Sequence, residues 1–300
     1  MRIAITGGTG FVGRHLTERF DPADVVAVSR RTGVGVDDVE ALAAAFEGCE
    51  VVAHLAGIDR ELGKQTFQRV HIDGTANVIE AAKRAGVRKI VLLSFLRARP
   101  DSDSGYLESK WAAEELVRAS GLDYTILKAG MIYGRGDQFV DRLSRTAYSF
   151  RVFPAVGFRE RPVRPIPVGD LVDIAVAAVN GRMSGETVAV TGAEELLLSE
   201  AFRRVGRVVG KKVWVTAAPV WALYAAAQFF EWTMKVPLVA KAPLRMLAEG
   251  VVDATPPASA VPDDLTPQTM FTDDEIRRAL PEPGGFGWSD LRFIRSATPR

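Results

Sequence analysis

Three glycines near the amino end of the chain have the types and spacing that bind phosphate. The segment Thr6-Gly7-Gly8-Thr9-Gly10-Phe11-Val12-Gly13 lies between a short apolar run and a helical pattern. Gly7 permits a tight turn, Gly10 lets the backbone approach a pyrophosphate, and Gly13 lets helix and strand pack closely. The amino end of the following helix then offers unpaired N–H groups and a positive dipole end to the phosphates. The sequence therefore predicts a dinucleotide-binding loop.

The end of the second predicted strand carries the residues that select between the two nicotinamide dinucleotides. A site for NAD needs a carboxylate here to accept from the ribose 2′-hydroxyl, whereas a 2′-phosphate needs cations. The chain has Ser29, Arg30 and Arg31 at this position and no acidic residue. We therefore predict that NADP(H) is preferred over NAD(H). The alternative is that both arginines are solvated surface charges.

Tyr106 and Lys110 stand four residues apart in a helical pattern, which puts a phenol and an ammonium on one face. Beside a nicotinamide ring, such a phenol moves the proton that accompanies hydride transfer, and the ammonium is expected to lower its pKa. The spacing alone is common. The location is more specific, because the helix follows the apolar run 89–94 at the edge of the predicted sheet where ligands bind.

These motifs and their order resemble the short-chain dehydrogenase/reductase superfamily, in its extended or atypical branch, which includes proteins similar to NAD-dependent epimerases and dehydratases. Residues 70–77, 131–134 and 167–171 are similar to further motifs of that branch, and the likeness covers about residues 1–210. The loop 94–106 and the segment 134–139 are similar to the nucleotide-binding accessory subunit of respiratory complex I and its bacterial relatives.

The resemblance implies a role for each matching residue. Tyr106 would be the general acid/base, and Lys110 would hold the nicotinamide ribose and support the phenol. The implied dinucleotide contacts are Gly7, Thr9, Gly10, Phe11, Val12 and Gly13 at the pyrophosphate, Leu55, Ala56 and Gly57 beneath the adenosine ribose, and Ala129 to Ile132 beside the nicotinamide.

Two positions depart from the family pattern. The catalytic hydroxyl is expected just beyond Ser94, where the residues are apolar and include Leu96. Ser94 itself, or Ser102 or Ser104 in the following loop, could take its place. The supporting asparagine falls on His71, which is either a hydrogen-bonding substitute or a buried core histidine.

Two functions therefore stay open. The first is an NADP(H)-dependent oxidoreductase or epimerase that acts on a carbonyl or alcohol of a small molecule, with Tyr106 as acid/base. The second is a non-catalytic NADPH-binding accessory or assembly protein near a membrane complex.

The elements that must position these residues alternate along the chain. Short apolar runs without polar alternation, separated by helical patterns, indicate parallel strands buried on both faces. We predict an α/β fold with a doubly wound parallel sheet of Rossmann type over residues 1–190 and a smaller C-terminal substrate or lid region over 191–300. After about Tyr133 the regularity fades, and residues 150–168 are predicted to form a loop with at most one strand.

Composition excludes several classes of function. The 300 residues carry 38 Lys and Arg against 37 Asp and Glu, so no bulk charge attracts nucleic acid. A single cysteine and three scattered histidines predict no disulfide and no metal site. The amino end does not read as a signal peptide, and no apolar stretch reaches the length of a membrane span, so we expect a cytoplasmic protein.

The stretch 217–234 is unusually aromatic. It is predicted either to pack as a lid over the pocket or to form a helix that binds a membrane surface or a protein partner, because Trp and Tyr favour such boundaries. Lys235, Lys241 and Arg245 beyond it would suit an anionic surface, which extends the candidate partner region to 217–245 and would make the protein peripheral to a membrane. The oligomeric state is open between monomer and homodimer.

Three arginines at positions 159, 161 and 164 lie among prolines. They are predicted either to meet an anionic group of the substrate or to form a solvated basic loop.

Overall fold

The computed structural model describes residues 1–156, 160–234 and 250–287. The chain divides into two compact units. Unit one contains residues 1–130, 168–191 and 253–268. Unit two contains residues 131–167, 192–252 and 269–300. The sequence predicts one domain boundary, at residue 190. In the structure the chain passes between the units several times, because residues 131–167 belong to unit two and residues 253–268 to unit one.

The strands and helices follow one another along the chain. The strands are β1 (Ile3–Thr6), β2 (Val25–Val28), β3 (Val51–His54), β4 (Lys89–Phe95), β5 (Asp123–Ala129), β6 (Ile132–Tyr133), β7 (Val152–Val156), β8 (Pro162–Val163), β9 (Ile166–Pro167), β10 (Glu186–Val190), β11 (Leu196–Leu197), β12 (Trp214–Ala218) and β13 (Ser259–Ala260). The α-helices are α1 (Phe11–Thr17), α2 (Val39–Phe46), α3 (Gly74–Arg84), α4 (Gly105–Arg118), α5 (Phe139–Ser149), α6 (Val168–Val179), α7 (Leu198–Val208), α8 (Val220–Thr233) and α9 (Asp273–Ala279). A π-helical segment, Gln68–Asp73, leads directly into α3.

Unit one is built on a seven-stranded sheet in the order β13-β10-β5-β4-β3-β1-β2, and all its pairings are parallel. Strands β1 and β3 are buried along their whole length, as the uninterrupted apolar runs predict. Helices α2, α3 and α4 pack side by side, and α1 packs against α6. The predicted α/β fold with a doubly wound parallel sheet is confirmed.

In its described residues, unit two contains three two-stranded sheets, β8 with β11, β7 with β12, and β6 with β9. Its core gathers Tyr133, Phe202 and Phe271 with the inner faces of α5, α7 and α9. The prediction that residues 150–168 form a loop with at most one strand is wrong, since β7, β8 and β9 lie there. Each of these strands is short, and two of them have only two residues, which leaves no periodic pattern to recognise.

Four cations singled out from the sequence, Arg159, Lys235, Lys241 and Arg245, lie outside the described residues. Within the part of the chain that the structure describes, no helix is long and apolar enough to cross a membrane.

Candidate functional site

The carboxyl ends of the strands of unit one border a cleft of about 880 Å³. This volume lies in the range of sites that bind small molecules and cofactors. The cleft brings together twelve of the residues predicted to contact a dinucleotide: Gly7, Thr9, Gly10, Phe11, Val12, Gly13, Ser29, Arg30, Arg31, Leu55, Ala56 and Gly57.

The loop between β1 and α1 is shaped so that only glycine fits at two positions. Gly7 has a φ of +71°, and a Cβ on it would lie 2.8 Å from the backbone nitrogen of Ala56. A Cβ on Gly13 would collide with the carbonyl oxygen of Gly7. Among the described residues, no side chain caps α1, so the N–H groups of its first turn stay available to a phosphate. The loop therefore fits a pyrophosphate.

A tight turn after β2 carries the two arginines. The Ser29 hydroxyl accepts from the backbone N–H of Thr32 at 3.2 Å, and the Thr32 hydroxyl accepts from that of Ser29 at 2.9 Å. This reciprocal pair fixes the turn Arg30–Thr32, whose two arginines are exposed at the cleft. The Ser29 side chain thus acts inside the turn, and both arginine side chains lie on the lining of the cleft.

Residues after β3 also line the cleft, and the sequence did not single them out. Lys64, Gln65 and Arg69 lie on the connection between β3 and α3. When the side-chain amide of Gln65 is turned so that its oxygen faces Arg30, this oxygen accepts hydrogen bonds from the Arg30 guanidinium. This connection has no recognisable motif, so only the folded arrangement reveals that its cations stand beside those of the second strand.

Lys110 is not on the lining of the cleft but lies against two residues that are. Its Nζ donates to the carbonyl of Leu93 at 3.2 Å, and a Cβ on Gly57 would lie 3.3 Å from that Nζ. Both Leu93 and Gly57 line the cleft. Burial lowers the pKa of Lys110 to about 8, against the opposing charge of Glu114. The ammonium is therefore held close to the predicted dinucleotide.

Aromatic rings surround Tyr106, one helical turn before Lys110. The rings of Phe67, His71 and Phe95 meet it edge-on, with centroids 5.6, 5.7 and 5.6 Å away. Burial of the phenol raises the pKa of Tyr106, and the negative charge of Asp59 raises it further. The predicted lowering of this pKa by Lys110 is wrong for this structure, because the loss of water around the phenol dominates.

His71 connects the β3–α3 region to the helix of Tyr106. Its Nε2 accepts from the backbone N–H of Ile58 at 3.0 Å, so the proton must be on Nδ1, which lies 2.9 Å from the Ser109 hydroxyl. Ser109 in turn donates to the carbonyl of Tyr106 at 2.9 Å. Burial, together with the charge of Lys110, lowers the pKa of His71 to about 2. His71 is thus a neutral, doubly hydrogen-bonded histidine, only 2% exposed.

A second buried histidine extends this network to the phosphate-binding strand. His54 Nδ1 lies 2.6 Å from the Thr6 hydroxyl, and its Nε2 lies 3.0 Å from the hydroxyl of Thr75. Thr75 donates to the carbonyl of His71 at 2.5 Å. Burial lowers the pKa of His54 to about 3. Hydrogen bonds therefore run from the end of β1, through α3, to the backbone of Tyr106.

Ser94, the predicted catalytic hydroxyl, is bonded to a buried carboxylate. It donates to Glu114 at 2.5 Å, and the other oxygen of Glu114 lies 2.8 Å from Arg118 and 3.3 Å from Lys128. Glu114 and Lys128 are fully buried. To reach a substrate, Ser94 would have to give up its bond to Glu114.

The other predicted positions are spread over both units. The hydroxyl of Ser102 bonds the backbone of Ser104 and so closes the loop before α4, and Leu96 is fully buried. Ala129 ends β5 in unit one, whereas Ile132 begins β6 in unit two.

Comparison with known proteins agrees with this geometry. A family model for NAD(P)H-binding domains matches residues 26–144. The chain contains an NAD(P)-binding Rossmann domain. Its structure is similar to those of an NADPH-dependent quinone oxidoreductase from Escherichia coli (TM-score 0.70, 22% identity, 92% of this chain and 98% of that one) and a nucleoside-diphosphate-sugar epimerase from Staphylococcus aureus (TM-score 0.69, 19% identity, 90% and 98%). Both likenesses concern the fold.

Two proteins with different names are similar to this chain in sequence. A ceramide reductase of Caulobacter vibrioides is 35% identical over 175 residues, which are 53% of this chain and 55% of the relative. A mitochondrial protein of Rattus norvegicus, NADH dehydrogenase (ubiquinone) 1 alpha subcomplex subunit 9, is 27% identical over 217 residues. These are 65% of this chain and 57% of the relative. The chain thus spans little more than half the length of these relatives. The resemblance to the accessory subunit of complex I is confirmed.

Proposed function

We propose that the protein is an NADP(H)-dependent oxidoreductase or epimerase that acts on a carbonyl or alcohol of a small molecule. One observation carries the proposal: Lys110, one turn beyond Tyr106, stands against Gly57 and Leu93 at the wall of the dinucleotide cleft. A reductase among the relatives and an NADPH-dependent oxidoreductase among the similar folds support it. Its place in the short-chain dehydrogenase/reductase superfamily is part of the proposal.

The charges that line the cleft favour NADP(H). Arg30, Arg31, Lys64 and Arg69 are cations, and Asp37 is the one acidic residue on the described lining. A 2′-phosphate carries more negative charge than the hydroxyl it replaces, so this excess of cations stabilises it, and the guanidinium groups can bind it by paired hydrogen bonds.

Burial sets the chemical role of Tyr106. When bound, the nicotinamide supplies or accepts hydride. Because the phenol pKa is raised, Tyr106 stays protonated at neutral pH and is prepared to donate its proton to a carbonyl oxygen. Lys110 holds its ammonium near this point, and the bonds of His71 and Ser109 fix the backbone that carries the phenol. This arrangement supports a role for Tyr106 as the proton donor in the reduction of a carbonyl.

The test is NADPH oxidation with a panel of quinones, ketones and aldehydes. Tyr106→Phe should lower turnover by about 100-fold or more, with little change in NADPH affinity, since only the proton donor is removed. Tyr148→Phe, on α5 in unit two, is the matched control and should retain activity. Equal turnover by wild type and Tyr106→Phe would contradict the proposed role.

A second candidate is an accessory protein that binds NADPH without catalysis. The bond from Ser94 to Glu114 favours it, because Ser94 is then not available to replace the hydroxyl that the family carries just beyond this position. The relative in mitochondrial NADH dehydrogenase also supports it. Tight NADPH binding, with no turnover of any carbonyl in the panel, would favour this function over the first.

A further inference from the structure

Helix α8 presents large aromatic side chains to solvent on one face. Trp221, Phe229 and Trp232 are 75%, 57% and 65% exposed, while Leu223 and Ala227 on the opposite side are buried. The exposed positions follow the spacing of a single helical face. They are Trp221, Ala225, Gln228, Phe229 and Trp232.

Tryptophan is concentrated in this part of unit two. Of the five tryptophans in the chain, Trp214, Trp221 and Trp232 fall on β12 and α8. Trp214 is 60% exposed and pairs in register with Val152, which is also exposed. We call Trp221, Phe229 and Trp232, on one side of α8, the aromatic face, and Trp214 is a further exposed tryptophan on β12. Exposed aromatic groups of this size on a protein surface mark an interaction site.

Cations lie near Trp214, where β12 begins. Lys211 and Lys212 precede Val213 and Trp214 in the sequence, and Nζ of Lys212 lies 5.2 Å from the centre of the Trp214 ring. Exposed Arg151 lies beside them, because its carbonyl accepts from the N–H of Trp214 at 2.8 Å. The sequence contains no acidic residue from Lys211 to Phe230. The surroundings of Trp214 are therefore positively charged.

We propose that the aromatic face docks on an anionic membrane surface, with α8 lying along the bilayer plane. Tryptophan rings favour the boundary between headgroups and acyl chains, and cations beside them are attracted to anionic lipids. At 14 residues, α8 is about 21 Å long, enough to lie in the interface but not to span the bilayer.

Flotation with lipid vesicles tests the proposal on the full chain. The protein should float with vesicles of phosphatidylcholine containing about one-third phosphatidylglycerol, should bind pure phosphatidylcholine at least about tenfold more weakly, and should be released by high salt. The double variant Trp221→Ser with Phe229→Ser should lower binding to the anionic vesicles by about tenfold or more. Leu197→Ser with Met270→Ser, two other exposed apolar residues of unit two, is the matched control.

Charge is tested separately. Lys212→Glu should weaken binding to anionic vesicles. Lys83→Glu, which changes an exposed residue of α3 in unit one, should leave this binding unchanged. Failure of the wild type to bind, or equal binding by the Trp221/Phe229 variant, would overturn the proposal. So would a dimer that Trp221→Ser dissociates in the absence of any vesicle binding.

Brominated lipids keep the test decisive if a variant fails to fold. Bromine near the headgroup boundary should quench the tryptophan emission of the wild-type protein, because the aromatic face would insert there. Unquenched emission at saturating anionic vesicles would contradict the proposal. None of these readouts depends on NADPH turnover, so their outcome is independent of the proposed enzyme activity.

Discussion

The two buried histidines predict a specific loss of stability in mild acid. The pKa falls on folding from its ordinary 6.5 to about 3 for His54 and to about 2 for His71. Both rings are almost fully buried, and protonation of His71 Nε2 would break the hydrogen bond that it accepts from Ile58. The folded protein therefore stays unprotonated at a pH where the unfolded chain takes up two protons.

The sign and size of the effect follow from this difference. Since the unfolded state binds more protons, the stabilisation is fully present above about pH 6.5 and is lost as the pH falls toward the folded pKa values. Each histidine loses about 1.4 kcal/mol per pH unit in this window. Between about pH 7.5 and about pH 5.5 the pair should lower the free energy of unfolding by about 3 kcal/mol.

Urea unfolding at the two pH values measures this loss directly. His71→Asn should lose about half of the pH dependence, because an amide can replace the ring's hydrogen bonds without titrating. His15→Gln, on α1, is the matched control and should keep the dependence of the wild type. The ring protons of both buried histidines, followed by NMR, should not shift between these pH values. A free energy of unfolding that does not change, or titration of these rings near pH 6.5, would refute the reasoning.

Two further outcomes are expected. Glu114→Gln should lower the free energy of unfolding by about 3 kcal/mol, because it leaves the ammonium of Lys128 buried without its counter-charge; Glu115→Gln, which removes an exposed partner of Arg118, should cost less than about 1 kcal/mol. Equal losses in urea unfolding would contradict the buried ion pair. Arg30→Ala with Arg31→Ala should weaken NADPH binding by about tenfold or more and leave NADH binding nearly unchanged, as measured by fluorescence titration. Tighter NADH than NADPH binding by the wild type would remove the charge argument.

The features that the sequence predicts well depend on local pattern. Strands such as β1 and β3 are buried on both faces, so their apolar runs are nearly unbroken. The phosphate loop is recognisable from the spacing of its glycines. Helix α5, by contrast, lies beyond Tyr133, where the regular alternation fades, although its buried positions Val140, Leu143 and Ala147 recur at helical spacing.

The features that escaped prediction arise from contacts distant in sequence. Lys64 and Arg69 join the cations at the cleft only because the connection after β3 folds toward the end of β2. The pKa of Tyr106 rises because the rings of Phe67, His71 and Phe95 exclude water from it, which the Tyr–Lys spacing does not reveal. No local pattern could show that Ser94 is paired with Glu114.

Transfer of deuterium from 4-deuterated NADPH to a carbonyl substrate, followed by mass spectrometry of the product, tests the proposed chemistry most directly. With a carbonyl compound that the protein reduces, we expect one deuterium on the carbinol carbon, transferred from one face of the cofactor. Tyr106→Phe should slow this transfer by about 100-fold or more without changing the label's position. Binding of NADPH with no deuterium in any product, or transfer that proceeds equally in Tyr106→Phe, would contradict the proposed activity.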